Sequence, residues 1–144
     1  MAIELAPYLT MDGNAREAIT FYQQALGAEI LFLQTFGEMP DNPDFPLPVE
    51  MKDKISHAAL NVDGAEMMFS DAFPGNPPKL GGMLSVCLTT DEESKAKRIF
   101  DALAEGGQIE MPFQKTFFSP GYGMVTDKFG IMFQIFTKGA SEYK

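Results

Sequence analysis

The residue best suited to acid–base chemistry is His57, the only histidine in the sequence. Because an imidazole changes its charge near neutral pH, His57 could act as a general base or bind a substrate by hydrogen bonding. It falls in the middle of a predicted strand, on the same face as Ile55, Ala59 and Asn61. A strand histidine satisfied by a neighbour at an interface or a sheet edge is the commoner case, and catalysis would also require an orienting partner. Both interpretations stay open.

Two further candidates for chemistry are the single cysteine and a pair of acidic residues. Cys87 stands between the apolar residues Val86 and Leu88, and we expect it to be a core residue because an apolar strand hides a thiol. Glu38 and Asp71 flank proline-rich segments that would border a cavity. They could form an acid pair, although solvation at a loop rim is the commoner role for such residues.

The sequence is rich in flexible and aromatic side chains, with ten methionines and thirteen phenylalanines. This composition favours either a soft cavity for an apolar or aromatic ligand or a small core filled with adaptable side chains. The residues that we expect on the cavity-lining strands are Met67, Met68, Phe69, Met83, Met124, Met132, Phe133 and Phe136.

Composition and charge exclude several classes of function. Eleven basic residues are scattered among twenty acidic ones, giving a net charge of -9, whereas a nucleic-acid-binding protein would cluster Lys and Arg. One cysteine cannot form an internal disulfide and fits a reducing compartment. Residues Met1–Thr10 lack the features of a signal peptide, and no apolar stretch approaches the roughly 18 residues of a membrane span. We therefore expect a cytoplasmic protein without a nucleic-acid or membrane partner.

Hydrophobic periodicity predicts the same order of elements twice. The first set comprises strand Leu5–Thr10, helix Ala15–Leu26 closed by Gly27, strand Glu29–Phe36, and hairpin strands Ile55–Val62 and Ala65–Ser70 around an Asp-Gly turn. The second set comprises strand Met83–Thr90, a helix capped by Asp91 and ending at Ala104, strand Gln108–Phe118, and hairpin strands Gly121–Thr126 and Ile131–Thr137. The proline-rich segment Gly37–Lys54 predicts a long loop without regular structure.

The two sets align as an internal repeat. With the offset that brings Leu9 onto Leu88, eight pairs of similar residues fall at strand ends, helix cores and helix caps, among them Asp12 with Asp91 and Phe21 with Phe100. We therefore predict an α+β fold of tandem βαβββ modules in one domain, 1–144. The modules cover about 1–72 and 82–139, with a linker of about 73–81.

Several motifs add a family resemblance to this plan. They are the opening PYLTMDGNAREAITFYQQALGAE, Phe36-Gly37-Glu38-Met39-Pro40, Ser70-Asp71-Ala72 and Thr126-Asp127-Lys128-Phe129-Gly130. With the doubled module they resemble the PhnB-like branch of the vicinal oxygen chelate superfamily, which includes glyoxalase I, bleomycin-resistance proteins and extradiol dioxygenases. The resemblance implies curved half-sheets around a cavity, usually completed in a homodimer. Fold alone does not settle function.

The resemblance also implies where a metal would be held. Metal-using relatives take one ligand from the first strand and one from the last strand of each module. These positions fall on Pro7 or Tyr8, on Val86 with Ser85 and Cys87 as neighbours, on Met68 or Phe69, and on Gln134. Only Gln134 is an ordinary donor for such a site, so we expect no metal. Neither strand-to-helix turn is the glycine-rich loop of a nucleotide site, so we expect no cofactor.

Three functional hypotheses follow, and they leave open whether the protein is an enzyme. The first is a metal-free protein that binds or sequesters a small apolar or aromatic molecule, as bleomycin-resistance relatives do, with homodimerisation expected. The second is a lyase, isomerase or dioxygenase with a site around His57 and Gln134. The third is an inert scaffold or interaction module. The predicted ligand-binding residues are His57, Asn61, Met68, Gln134, Phe36 and Tyr122.

Overall fold

The computed structural model describes residues 4–40, 43–44, 46–73, 78 and 83–139. The chain divides into two compact units, Met1–Lys79 and Leu80–Lys144. The predicted linker, about 73–81, lies outside the described residues except for Phe73 and Pro78. None of the described helices is long and apolar enough to span a membrane.

Each unit has the element order β-α-β-β-β. The first unit contains β1 (Tyr8–Met11), α1 (Ala15–Leu26), β2 (Glu29–Thr35), β3 (Ile55–Val62) and β4 (Ala65–Asp71). The second contains β5 (Val86–Thr90), α2 (Glu93–Ala104), β6 (Gln108–Gln114), β7 (Tyr122–Thr126) and β8 (Met132–Thr137). The sheet orders are β1-β4-β3-β2 and β5-β8-β7-β6. β1 pairs in parallel with β4, and β5 pairs in parallel with β8. The predicted α+β fold of two βαβββ modules is confirmed.

The outer strands are shorter than the apolar pattern predicts. β1 begins at Tyr8 instead of Leu5, and β5 begins at Val86 instead of Met83. β5 starts where a partner becomes available, since Val86 pairs with Phe133 near the start of β8. β1 starts directly after Pro7, which has no backbone N–H to donate to the ladder. The apolar residues before Tyr8 and Val86 therefore continue the apolar sequence pattern but lie outside β1 and β5.

The helices follow the predicted pattern except at the start of α2. In the first unit α1 buries Ala15, Ala18, Ile19 and Tyr22, and Gly27 ends it with a left-handed φ of 67°. In the second unit the N-cap is Glu92 and not Asp91, because Glu92 still has extended backbone angles. No side-chain hydrogen bond caps α2.

The proline-rich segment of the first unit holds two short 3-10 turns, Phe36–Glu38 and Val49–Met51. The prediction that this segment lacks regular structure is therefore wrong in detail. Met51 is buried, which gives the second turn an apolar anchor despite the flanking prolines. Between β3 and β4 the Asp63-Gly64 turn has positive φ at both residues, the geometry expected of a two-residue hairpin loop.

The core of each unit lies between its helix and one face of its sheet. In the second unit Phe100 and Leu103 of α2 are buried, as are Val125, Phe133 and Ile135 of the sheet. Gly123 allows the helix to approach this closely. A Cβ at that position would lie 2.6 Å from Cε1 of Phe100, so only glycine fits there without displacing the ring.

Candidate functional site

The second sheet has an open face opposite its helix. Along β8 buried residues alternate with half-buried ones, and the half-buried set points away from α2 because successive strand residues face opposite sides. Register extends this set across the sheet. On β5, β7 and β8 the residues that share the open face are Cys87, Thr89, Tyr122, Met124, Thr126, Met132, Gln134 and Phe136.

Gln134 is at the centre of a hydrogen-bonded chain on this open face. The Tyr122 hydroxyl donates to Gln134 Oε1 at 2.6 Å. Gln134 Nε2 donates to Ser85 Oγ at 2.9 Å. The chain links β7, β8 and the residue just before β5, so it fixes the amide plane of Gln134. Two of the predicted ligand-binding residues, Tyr122 and Gln134, are therefore in direct contact.

An aromatic wall stands beside this chain, formed by Phe118, Tyr122 and Phe136. The ring of Phe118 stacks on that of Phe136, with centroids 6.1 Å apart and an interplanar angle of 12°, and meets the Tyr122 ring edge-on at 5.0 Å. Buried Ser119 positions the loop that carries Phe118, because its hydroxyl donates to the carbonyl of Thr137 at 2.7 Å. The open face thus combines a rigid polar group with flat apolar surfaces.

Cys87 lies on this face and is exposed, so its predicted place in the core is wrong. Because Cys87 pairs with Gln134 across the parallel ladder, its side chain points to the open face. The neighbouring residues Val86 and Leu88 are the ones that turn towards the helix. Burial, and secondarily the charge of a Cys87 thiolate, raises the pKa of Tyr122 above its ordinary value of 10.0. Tyr122 is therefore a hydrogen-bond donor at neutral pH.

The first sheet carries a different set of residues on its open face. The Nδ1 atom of His57 lies 3.5 Å from the Tyr8 hydroxyl, at the outer limit of a hydrogen bond. The imidazole is flanked by the rings of Tyr8 and Phe32, with centroids 5.8 and 5.9 Å away. Met68 lies opposite Tyr8 in the ladder. His57 therefore has a hydroxyl neighbour that could orient it.

The other two predicted ligand-binding residues serve local structure. Asn61 Oδ1 accepts the backbone N–H of Gly64 at 3.0 Å, which closes the β3–β4 turn. Phe36 packs on Phe73 with centroids 5.0 Å apart. His57, Phe36, Asn61 and Met68 all belong to the first unit, whereas Tyr122 and Gln134 belong to the second.

Glu38 and Asp71 do not form an acid pair. Asp71 is buried and accepts the backbone N–H groups of Ala15 and Ile55, both at 2.9 Å. It therefore joins the start of α1 to the start of β3. Glu38 is exposed and accepts the N–H of Thr35 at 2.8 Å, as part of a capping box on the first 3-10 turn. Both carboxylates have structural roles.

The cavity-lining set is also smaller than predicted. Met68, Met124, Met132 and Phe136 share the open faces, but Met67, Phe69 and Phe133 are buried on the helix sides of their sheets, and Met83 precedes β5. The pattern overestimated the set because adjacent residues on a strand face opposite sides. Ser85 and Phe118 were not among the predicted ligand-binding residues. Both lie outside the observed strands although the predicted strands included them, and Ser85 was considered only as a neighbour of a metal-ligand position.

Comparison with known proteins identifies the family. The model of the Glyoxalase/Bleomycin resistance protein/Dioxygenase superfamily matches residues 5–135. The chain belongs to this superfamily. It is 41% identical to protein YjdN of Escherichia coli over 137 residues, covering 91% of this chain and 92% of YjdN.

Two solved structures of this superfamily fold closely resemble the chain. Protein PA1353 from Pseudomonas aeruginosa matches with a TM-score of 0.83 and 37% identity, covering 95% of this chain and 98% of PA1353. The PhnB protein from Bacillus cereus matches with a TM-score of 0.75 and 24% identity, covering 94% and 99% of the two chains. PhnB-like proteins are thus among its structural neighbours, as the sequence motifs predict.

The ladders show which of the candidate residues at the metal-ligand positions implied by the family resemblance lie opposite one another. Tyr8 pairs with Met68 in the first sheet, and Cys87 pairs with Gln134 in the second. Phe69 is buried on the helix side. The alternatives Pro7, Phe69 and Val86 are therefore replaced by Tyr8, Met68 and Cys87.

These residues do not fit the metal site of metal-using relatives. Metal-using relatives bind a divalent cation through His, Glu or Gln side chains. The corresponding groups here are the phenol of Tyr8, the thioether of Met68, the thiol of Cys87 and the amide of Gln134. The amide already forms hydrogen bonds with Tyr122 and Ser85. Within the described residues no group of three or more His, Cys, Asp or Glu side chains could hold a metal.

Proposed function

We propose that the protein binds or sequesters a small apolar or aromatic molecule on the open face of its second sheet, without a metal. The observation that carries this proposal is the fixed amide of Gln134, which stands at a metal-ligand position but is bonded to Tyr122 and Ser85. A preorganised polar group next to aromatic surface is typical of small-molecule sites, since the apolar part supplies affinity and the polar part fixes orientation.

The stacked rings of the aromatic wall support the same proposal. Phe118 remains 42% exposed although it packs against Tyr122 and Phe136. A ligand ring lying on this wall would bury apolar surface worth about 25 cal/mol per Å². The half-buried methionines Met124 and Met132 on the same face can adapt to different ligand shapes.

The experiment is a thermal-shift screen of neutral aromatic compounds, followed by calorimetry on each hit. We expect Phe118→Ala to weaken binding at least ten-fold, because it removes the centre of the wall. Phe117→Ala is the matched control: Phe117 is fully exposed and contacts Phe118 only edge-on. Metal analysis of the purified protein accompanies the screen. The proposal fails if no compound binds, or if stoichiometric metal is present and is lost in Gln134→Ala.

An enzyme is the second candidate, favoured by the contact between His57 Nδ1 and the Tyr8 hydroxyl. The Tyr8 hydroxyl is the neighbour that could orient a catalytic histidine at this position. The test compares wild-type protein with His57→Ala and Tyr8→Phe in lyase, isomerase and dioxygenase assays. Turnover that is unchanged in His57→Ala would remove this histidine from the mechanism.

Homodimer formation is also proposed, with support from the edge strand β2. Its residues Ile30, Leu31 and Phe32 are all at least 43% exposed, which is unusual for an apolar run at a sheet edge. Sedimentation velocity should give twice the monomer mass. A monomer at micromolar concentration would contradict this proposal.

A further inference from the structure

The hydrogen bonds around Gln134 all run in one direction. Tyr122 donates to the amide oxygen, and the amide nitrogen donates to Ser85. Tyr122 is only 9% exposed, and the raised pKa of its buried phenol keeps the proton that it donates. The chain therefore begins with a fixed donor in the sheet and ends at the Ser85 hydroxyl.

The unused protons of Ser85 and Gln134, at the end of this series of hydrogen bonds, determine which ligand groups the site can bind. Ser85 Oγ accepts a hydrogen bond from Gln134, so the hydroxyl proton of Ser85 is not used in this series of hydrogen bonds. Gln134 Nε2 carries a second proton as well. In the part of the chain that the structure describes, neither proton has a partner. Ser85 and Gln134 thus present two donors side by side, which suits an acceptor such as a carbonyl oxygen.

The charges around these donors disfavour an anion. Among the described residues that share the open face on β5, β7 and β8, none is Lys or Arg, while the Glu110 carboxylate accepts from Thr126 Oγ1 on that face at 2.7 Å. The whole chain carries a net charge of -9. A negatively charged ligand would be repelled without a nearby cation to offset the repulsion, so a neutral acceptor is favoured.

We infer that the ligand is a neutral aromatic carbonyl compound. Its carbonyl oxygen accepts hydrogen bonds from Ser85 and Gln134, and its ring lies against the wall of Phe118 and Phe136. This inference rests on the proposed function and names the class of ligand that the same site takes. It assigns to Ser85 a direct role in ligand recognition.

The test uses two probes of nearly identical shape, acetophenone and α-methylstyrene. The second carries a methylene group in place of the carbonyl oxygen, so it fills the same space but accepts no hydrogen bond. Without donors in the site the ketone would bind more weakly, because it loses hydrogen bonds to water. We expect the wild-type protein to bind the ketone about five- to ten-fold more tightly, measured by ligand-observed NMR titration.

Variants separate the role of Ser85 from general packing. Ser85→Ala should remove the preference for the ketone and leave the affinity for α-methylstyrene within about two-fold. Tyr122→Phe should reduce the preference, since it frees the amide of Gln134 to rotate. Ser94→Ala, which removes an exposed hydroxyl from α2, is the matched control and should change neither affinity. Circular dichroism and melting curves establish that each variant is folded.

The outcomes distinguish this inference from the proposed function. If both probes bind equally, or if Ser85→Ala keeps the preference, the inference is wrong although small-molecule binding stands. If neither probe binds and the only compounds that bind in the thermal-shift screen lack a carbonyl group, the inference is again wrong and the proposed function stands. If neither probe and no screened compound binds, both are wrong.

Discussion

Replacing Asp71 by alanine should destabilise the first unit severely. The carboxylate is only 4% exposed and accepts two backbone N–H groups, from Ala15 and Ile55. A hydrogen bond to a charged group contributes about 1.5–3 kcal/mol. The loss of both bonds, which leaves two buried donors without a partner, should therefore lower the free energy of unfolding by about 3–6 kcal/mol. This is a large part of the roughly 5–15 kcal/mol typical of a domain.

Urea denaturation measures this loss, and Glu38→Ala is its matched control. The control removes the same charge, but Glu38 is exposed and makes one bond to a 3-10 turn, so a loss of about 0.5–1 kcal/mol is expected. For Asp71→Ala the urea midpoint should fall by about 1.5–3 M at an m-value near 2 kcal/mol/M. Equal midpoints for the two variants would refute the structural role of Asp71.

Three further predictions concern the second unit. The pKa of Tyr122 should lie above 10.0 in an alkaline absorbance titration, in which Tyr122→Phe identifies the signal of this phenol. Cys87→Ser should lower this pKa only in part, because burial is the larger cause of the shift. A Tyr122 phenol that ionises at 10.0 would contradict this prediction. Since the folded pKa is raised, the contribution of Tyr122 to stability is complete below pH 10 and declines as the pH rises further. A thiol reagent should modify exposed Cys87 in the native protein, and reaction only after unfolding would show that the thiol is buried. Gly123→Ala should cost about 1–3 kcal/mol of stability, because its methyl group would overlap the Phe100 ring; unchanged melting would refute that packing argument.

Much of the fold is predictable from the sequence because local signals agree with the final packing. The apolar period of α1, its end at Gly27 and the Asp63-Gly64 hairpin all reappear in the structure. Strand ends were less predictable, because a strand ends where its partner ends and not where its own apolar run ends. Val86, which pairs with Phe133 near the start of β8, marks such a point, whereas β1 starts at Tyr8 directly after Pro7, which has no backbone N–H.

The candidate site was harder to predict, since it depends on which face each strand residue occupies. A slip of one residue exchanges the two faces, so Cys87 was expected in the core and Pro7 or Val86 at metal positions. Only the ladders, which pair Tyr8 with Met68 and Cys87 with Gln134, determine the faces. Ser85 lies outside the strands, and its role depends on a contact with a residue 49 positions away.

The two units share a backbone plan but differ in what their equivalent positions can bind. His57 stands two residues before the strand position opposite Met68, just as Tyr122 stands two residues before the one opposite Gln134. Tyr122 has an amide to bond, whereas the thioether of Met68 offers His57 almost no hydrogen bonding, and the Nδ1 atom of His57 lies 3.5 Å from the Tyr8 hydroxyl. The two differences in residue type, His57 for Tyr122 and Met68 for Gln134, thus separate a fixed polar site from a loosely held histidine. Substitutions in the second unit should therefore weaken ligand binding more than substitutions in the first unit.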